Sequence, residues 1–159
     1  EEVRRCGRWL REEYGADSVL IPFFHKEDLS VCQAVADGLP DQVGCLRQKY
    51  LSEETLSIIG CMDVLVGIRL HSLIYAAVMG VPMIGVSYDT KVDSFLASID
   101  RPTLCDVADF TLEGFQAAFR ETVEHRDDIR CATERRLEEL IDKLDRNEEL
   151  IRHIMEQKK

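Results

Sequence analysis

The chain has 159 residues, of which 45% are hydrophobic, and this composition suits one globular domain with a substantial core. Its formal net charge of −10 argues against binding of nucleic acids and against adsorption to anionic membranes. Six scattered cysteines without a C-x-x-C pair indicate reduced thiols rather than a disulfide framework or a zinc site, so we expect a cytoplasmic protein.

Five short apolar runs predict the strands of a parallel sheet. They recur about every twenty residues, which is the length of one strand plus one helix in a βα unit. Most are apolar on both faces, as in a sheet that helices cover on each side. The runs are Ser18–Pro22, Gln42–Leu46, Asp63–Val66, Met83–Ser87 and Thr103–Cys105. This pattern predicts an α/β fold with a Rossmann-like open parallel sheet, right-handed crossovers and helices on both faces.

Helix patterns lie before and between these runs. The first covers Glu1–Tyr14 and ends at Gly15; since it starts without a methionine, we expect the chain to be a piece of a longer protein. Four more follow, at Asp28–Asp37, Glu53–Cys61, Leu70–Met79 and Lys91–Ile99. We interpret Asp28, Ser52 and Thr90 as N-caps of these helices.

Two further helices are predicted after the last strand. Thr111 caps the first, and a longer helix begins beyond Asp128. Its narrow apolar stripe consists of Leu137, Leu140, Leu144, Ile151 and Ile154. Because Asn147 interrupts the heptads, we favour an amphipathic helix packed on its own domain over a coiled coil, although a homo-oligomer through this helix stays open. We therefore expect a Rossmann-like domain over 1–110, with residues 111–159 as helices that pack on it.

Basic side chains follow two of the predicted strands, at the edge of the sheet where ligands bind in open parallel folds. Arg69 and His71 follow the third run and Lys91 follows the fourth, each beside a helix N-terminus that favours anions. Arg69 offers a fork for a carboxylate or phosphate, Lys91 a point charge, and a histidine can carry a proton near neutral pH. His25, after the first run, lies on the same edge.

One geometric condition applies to this site. Residues two apart in a helix point about 200° away from each other, whereas in an extended turn they face the same way. Arg69 and His71 can therefore share a ligand only if the chain is extended at Arg69 and the helix begins at or just before His71. The alternative, a surface arginine and a histidine satisfied in the core, stays open on these residues alone.

The segment DVLVGIRLHSLIYAAVMGVPMIGVSYDTKVDSFL, residues 63–96, resembles the signature of the polysaccharide pyruvyl transferases, especially bacterial members that modify cell-surface polymers. The resemblance is looser over Ser18–Leu46, where VLIPFFHKEDLSVCQAVADGL is similar to the strand, loop and acid-led helix of that family. The resemblance implies two Rossmann-like domains that face a cleft, as in B-type glycosyltransferases. This chain would be the C-terminal, donor-binding domain, inactive in isolation, and most acceptor-binding residues would come from an N-terminal domain outside it.

The resemblance also implies roles for individual residues. The donor would be phosphoenolpyruvate, with Arg69 and Lys91 binding its anionic groups and His71 acting as general acid. Apart from the resemblance, we expect Ser72 and His25, at the same edge, to be further substrate-binding residues. The product would be a pyruvate ketal on a sugar of a cell-wall or exopolysaccharide precursor. A lipid-linked saccharide acceptor would bring the protein to the inner face of the membrane. No metal and no cofactor is expected, since no metal-ligand cluster is present in the sequence.

Two other functions stay open on the sequence. One is the sugar-nucleotide-binding domain of a B-type glycosyltransferase. The junction at Arg69 has no acidic residue before Asp89, and this favours a small, highly charged donor over a sugar nucleotide. The other is an inert interaction module that uses the C-terminal helix.

Overall fold

The computed structural model describes residues 1–39 and 43–156, without the side chains of residues 148–151 and 154. Helices and strands alternate through most of its length, and the five strands lie at or within two residues of the predicted runs. The elements are α1 (Glu2–Tyr14), β1 (Ser18–Leu20), α2 (His25–Ala36), β2 (Val43–Cys45), α3 (Ser52–Ile59), β3 (Leu65–Gly67), α4 (Leu70–Val78), β4 (Met83–Ser87), α5 (Thr90–Ser98), β5 (Thr103–Asp106), α6 (Leu112–Glu124) and α7 (Arg126–Glu156).

All strand pairs in the described ranges are parallel, which confirms the predicted α/β architecture. Their hydrogen bonds form two groups, β1–β2 and β3–β4–β5, rather than one continuous sheet. The connections at the carboxyl ends bring the two groups together. Ile21 and Phe23, which follow β1, pack against the core cluster of β3 and α4, and the Phe23 ring lies 5.8 Å from that of Tyr75.

Two apolar clusters cover opposite faces of β4. Successive strand residues point to opposite faces, so Met83 belongs to one cluster and the adjacent Ile84 to the other. The first cluster joins β3 and β4 to α3, α4 and α5; the second joins the sheet to α1 and α6 through Trp9, Phe115 and Phe119. Burial on both faces explains why all five residues of β4 are apolar or small.

Two helices end at or just before glycines that the sequence predicted as helix stops. Gly15 ends α1 with φ of 62°, and Gly80 follows α4 with φ of 66°, a region that side chains with a Cβ rarely adopt. Both positions were predicted because a glycine directly follows the last apolar residue of a helical pattern. These two boundaries are therefore set by local chemistry.

Three helix starts differ from the predicted ones, and at each of them a carboxylate accepts a hydrogen bond from an N–H group at the start of the helix. α2 begins at His25, and Asp28, inside its first turn, accepts a hydrogen bond from the Phe24 N–H at 2.8 Å. Glu54 likewise accepts from the Leu51 N–H before α3. Asp89 rather than Thr90 caps α5. Short acidic side chains satisfy orphan N–H groups and complement the helix dipole, so either position can start a helix.

The C-terminal helices pack on the α/β layers. Thr111 caps α6 as predicted, with its hydroxyl accepting from the Gly114 N–H at 3.2 Å. In α7, Leu137 and Leu140 pack against the first cluster, whereas Leu144 is 66% exposed. Ile151 and Ile154, the rest of the predicted stripe, have side chains outside the described residues. The division at residue 110 stays a prediction.

The remaining global features concern the cysteines and the helices. All six cysteines are free. No helix in the described part of the chain combines the length and the apolar character that a bilayer span requires. His125 and His153, on the charged helices, are exposed.

Candidate functional site

The junction between β3 and α4 meets the backbone condition stated for a ligand shared by Arg69 and His71. Arg69 is the N-cap of α4 and has extended backbone angles, φ −84° and ψ 131°. The helix begins at Leu70, so His71 is its second residue, beside the free N–H groups of the first turn. Arg69 thus lies outside the helix, and the separation of about 200° between residues two apart in a helix does not apply to Arg69 and His71. The stated geometric condition is met.

Close packing of α4 on β3 sets this junction. A Cβ at Gly67 would lie 2.6 Å from the Ser72 Oγ and 2.7 Å from a Leu73 methyl carbon, so a larger residue would displace these side chains. Ser72 is 5% exposed, and its hydroxyl donates to the Arg69 carbonyl at 2.6 Å. Ser72 therefore stabilises the turn that contains Arg69. A direct contact with substrate stays a prediction for this residue.

The Arg69 guanidinium lies between two aromatic rings and two acids. Its Cζ is 4.8 Å from the centroid of the Phe24 ring and 5.7 Å from that of Tyr88. Nη2 donates to Asp28 Oδ1 at 2.7 Å and to Glu27 Oε2 at 3.4 Å. The hydrogen bond with Asp28 raises the pKa of Arg69, which stays charged. The side chain retains 29% exposure, so a ligand can reach it.

The sequence predicted no acidic residue beside Arg69 before Asp89. This prediction is wrong, because the fold brings two acids from a distant segment to Arg69. Asp28 and Glu27 come from the first turn of α2, 41 and 42 residues before Arg69. Burial opposes ionisation of Asp28, but the hydrogen bonds from Arg69 and from the Phe24 N–H outweigh it and lower its pKa. Two carboxylates therefore face one guanidinium, and an anionic ligand has to compete with them.

Lys91 approaches the same aromatic side chain from the next junction. Its Nζ lies 5.6 Å from the centroid of the Tyr88 ring and 3.2 Å from Asp89 Oδ2. The hydrogen bond with Asp89 raises the pKa of Lys91, and the Lys91 N–H lowers the pKa of Asp89. Tyr88 thus contacts both cations that the sequence predicted. The loops after β3 and β4 meet around one ring.

A network under the second loop was missed by the sequence analysis. Asp93 accepts hydrogen bonds from Ser87, at the end of β4, and from Thr103, at the start of β5. Ser87 is buried, so its hydroxyl needs a partner inside the protein. The only sequence signal was an acid in the first turn of α5, which is ordinary for a helix start.

The two histidines of the site differ in their surroundings. His71 is exposed, and its ring makes no hydrogen bond or ion pair with the residues that the structure describes. The alternative of a core histidine is therefore wrong. His25 is half-buried as the first residue of α2, and its Nε2 lies 2.9 Å from the Arg47 carbonyl oxygen in the loop after β2. This contact ties together the loops after β1 and β2.

A shallow cavity of about 280 Å³ lies elsewhere, at the amino edge of the three-stranded sheet. It is lined by residues that precede β3 and β4 and by charged side chains of α7, among them Arg130 and Glu134. It contains none of the predicted site residues. Within residues 1–39 and 43–156, no group of three or more His, Cys, Asp and Glu side chains is placed to bind a metal.

Comparison with known proteins agrees with the resemblance of the signature segment. A family model described as "Polysaccharide pyruvyl transferase" matches residues 2–90, more than half of the 159 residues. The matched range runs from α1 to the first residue of α5 and includes Arg69 and His71. No curated protein and no solved structure matches the chain. The chain belongs to the polysaccharide pyruvyl transferase family.

Proposed function

We propose that this domain binds the phosphoenolpyruvate donor of a transferase that forms a pyruvate ketal on a sugar of a cell-surface glycan precursor. The observation that carries the proposal is the convergence of Arg69 and Lys91 on Tyr88, beside the helix end that bears His71, in a member of this family. The acceptor, a glycan or lipid-linked saccharide, would bind largely through another domain of the enzyme.

The negative charges of the donor suit the two cations of this rim. Phosphoenolpyruvate carries roughly three negative charges, and two cations with two helix N-termini offer matching donors. Arg69 would bind a carboxylate or phosphate through two parallel N–H groups, and Lys91 would contact the same anion as a point charge. The exposed carboxylate of Glu27 would give way, because exposed ion pairs are weak. Asp89 would release the Lys91 ammonium from Oδ2 while its Oδ1 keeps capping α5.

In the proposed reaction, His71 as imidazolium donates a proton to the methylene carbon of the donor, which makes C2 electrophilic. One sugar hydroxyl forms a C–O bond to C2 and releases its proton. The bond between C2 and the phosphate oxygen then breaks, and the phosphate leaves with the electron pair. A second hydroxyl attacks C2 and loses its proton, which closes the ketal. One released proton restores His71 and the other goes to phosphate, and no resident cofactor is invoked.

Calorimetric titration of the chain with phosphoenolpyruvate and, separately, with uridine-diphosphate sugars tests the donor. We expect binding of phosphoenolpyruvate, and Arg69→Ala or Lys91→Met should weaken it about tenfold or more, since each removes a charge-assisted contact. Lys143→Met, an exposed lysine on α7, is the matched control and should bind as the parent does. Binding of the uridine-diphosphate sugar alone would favour the glycosyltransferase alternative and overturn the proposal.

The role of His71 requires the active enzyme and its glycan acceptor. A general acid contributes on the order of 10²–10⁴-fold to turnover, so His71→Ala should lower kcat by that factor with little change in donor affinity. His125→Ala, an exposed histidine at the end of α6, is the control. Unchanged kcat in the His71 variant would remove the general-acid assignment.

A further inference from the structure

We propose that Asp28 is a positioning residue that fixes the Arg69 guanidinium for donor binding. Its neighbour Glu27 contacts the same guanidinium nitrogen, but the donor can replace this contact. This inference rests on the proposed anion-binding role of Arg69. It assigns opposite effects to two adjacent acids that contact one guanidinium nitrogen.

Asp28 is anchored through both of its oxygens. Oδ1 accepts from Arg69 Nη2 at 2.7 Å, and Oδ2 accepts from the Phe24 N–H at 2.8 Å. The carboxylate is only 20% exposed and belongs to the first turn of α2, so it has little freedom to follow a moving partner. An arginine paired with it is fixed relative to the β1–α2 junction.

The same carboxylate also fixes the ring that lies over the guanidinium. Phe24 is the N-cap of α2, and its N–H is the group that Asp28 binds. Its ring lies 4.8 Å from Arg69 Cζ, with Tyr88 as the second ring contact. Loss of Asp28 would therefore free the charge of Arg69 and loosen the cap that places one of its two aromatic neighbours.

Glu27 contacts Arg69 in a different way. Its Oε2 lies 3.4 Å from Nη2, and its side chain is 70% exposed. A long, solvated contact of this kind is weak and easily replaced by another carboxylate or by a phosphate. The donor anion can thus take the place of Glu27 while Asp28 keeps its contact.

The two roles predict opposite signs for donor affinity. Removing either acid deletes a negative charge near the site, which by itself favours an anion. Removing Asp28 also releases a flexible arginine from its bound geometry, so ordering it again opposes binding. We expect this loss to outweigh the charge effect for Asp28, and we expect the charge effect alone for Glu27.

The test is calorimetric titration of the chain with phosphoenolpyruvate in six forms: the parent, Glu27→Gln, Asp28→Ala, Asp28→Asn, Arg69→Ala and Asp28→Ala with Arg69→Ala. Glu27→Gln should lower the Kd about two- to fivefold, as expected for an exposed charge. Asp28→Ala should raise it about tenfold, the scale expected for lost preorganisation. In the Arg69→Ala background, Asp28→Ala should no longer weaken binding, because the residue acts through Arg69.

Each contrary result has a distinct meaning. Tighter binding by Asp28→Ala, as for Glu27→Gln, would show that Asp28 acts only by charge and would overturn the proposal. If Asp28→Ala weakens donor binding equally in the parent and in the Arg69→Ala background, Asp28 acts through the fold as a whole. This result would overturn the proposal too. If Asp28→Ala does not fold, Asp28→Asn takes its place: its single amide oxygen can serve Arg69 or the Phe24 N–H but not both, so it should still raise the Kd, by less than about tenfold. A Kd lowered as for Glu27→Gln would overturn the proposal. A parent-like Kd for Arg69→Ala would instead refute the proposed function itself.

Discussion

The carboxylate of Asp93 accepts a hydrogen bond from the buried hydroxyl of Ser87, with 2.9 Å between Oδ2 and Oγ. Its other oxygen accepts from the Thr103 hydroxyl at 2.8 Å. One side chain thus joins the end of β4, the start of β5 and the first turn of α5. The loop after Ser87 carries Tyr88, and Lys91 follows it as the second residue of α5, so this pair fixes the base of the site.

Asp93→Ala should lower the free energy of unfolding by about 1–3 kcal/mol, because it leaves the buried Ser87 hydroxyl with a poor partner. Urea denaturation measures this loss. Asp142→Ala, at an exposed position of α7, should change stability by no more than about 0.5 kcal/mol. Equal stability of the two variants would show that the network contributes little.

A side chain at Gly67 should damage both the fold and the site. Gly67→Ala places a Cβ 2.6 Å from the Ser72 Oγ, so either the hydroxyl that binds the Arg69 carbonyl or α4 itself has to move. We expect a loss of about 1–3 kcal/mol in unfolding free energy, the usual cost of overpacking, together with weaker phosphoenolpyruvate binding.

The matched control for Gly67 is Gly44→Ala in β2. There the nearest atom to a new Cβ is a Val19 methyl carbon at 3.7 Å, an ordinary contact. Since alanine is less flexible than glycine in the unfolded chain, this variant should be as stable as the parent or up to about 1 kcal/mol more stable. If Gly67→Ala and Gly44→Ala change the unfolding free energy equally, close packing at Gly67 does not cause the loss of stability.

Ser72→Ala distinguishes the predicted substrate contact from the observed structural one. The hydroxyl donates to the Arg69 carbonyl, which also accepts from the Ser72 N–H at 2.9 Å, so the carbonyl stays bonded in the variant. We expect a loss of about 0.5–1.5 kcal/mol in stability. The Kd for phosphoenolpyruvate should change less than about threefold, well below the loss of a charge-assisted contact. A tenfold weaker Kd at unchanged stability would instead support a direct substrate contact.

The sequence predicted those features that depend on local chemistry. Apolar runs located the strands, and Gly15 and Gly80 located two helix stops, because burial and a left-handed backbone each require particular residue types. The extended backbone at Arg69 and the helix start beside it were stated as a condition, and the junction meets that condition.

Features that depend on distant residues could not be predicted in the same way. Asp28 was interpreted as an N-cap, since nothing in a sequence pattern places it against an arginine 41 residues later. The same holds for Tyr88 between two cations and for Asp93 between two strands. The charges around Arg69 depend on how the loops assemble. A count of charged residues along one segment of the sequence therefore predicted them wrongly.

The ion pair between Asp28 and Arg69 should make stability depend on acid pH. The pKa of Asp28 is lowered in the fold, from a value of about 3.9 in unfolded chains, so folding favours its ionised form. Its contribution is fully present above that unfolded value and is lost as the pH falls through the lowered folded value. Urea denaturation of the parent and of Asp28→Asn at pH 6 and at pH 3 measures this.

The stability difference between the parent and Asp28→Asn should be larger at pH 6 than at pH 3, because below about pH 3.9 the unfolded chain binds a proton at Asp28 and the advantage of the ionised, paired form shrinks. Arg69→Met is the control, since it deletes the main group that stabilises the carboxylate. In the Arg69→Met background, the loss of stability caused by Asp28→Asn should differ less between pH 6 and pH 3. A difference that stays constant from pH 6 to pH 3 would mean that the pair in the fold does not lower the pKa of Asp28. The positioning role would then have to rest on the hydrogen bond to Phe24 alone.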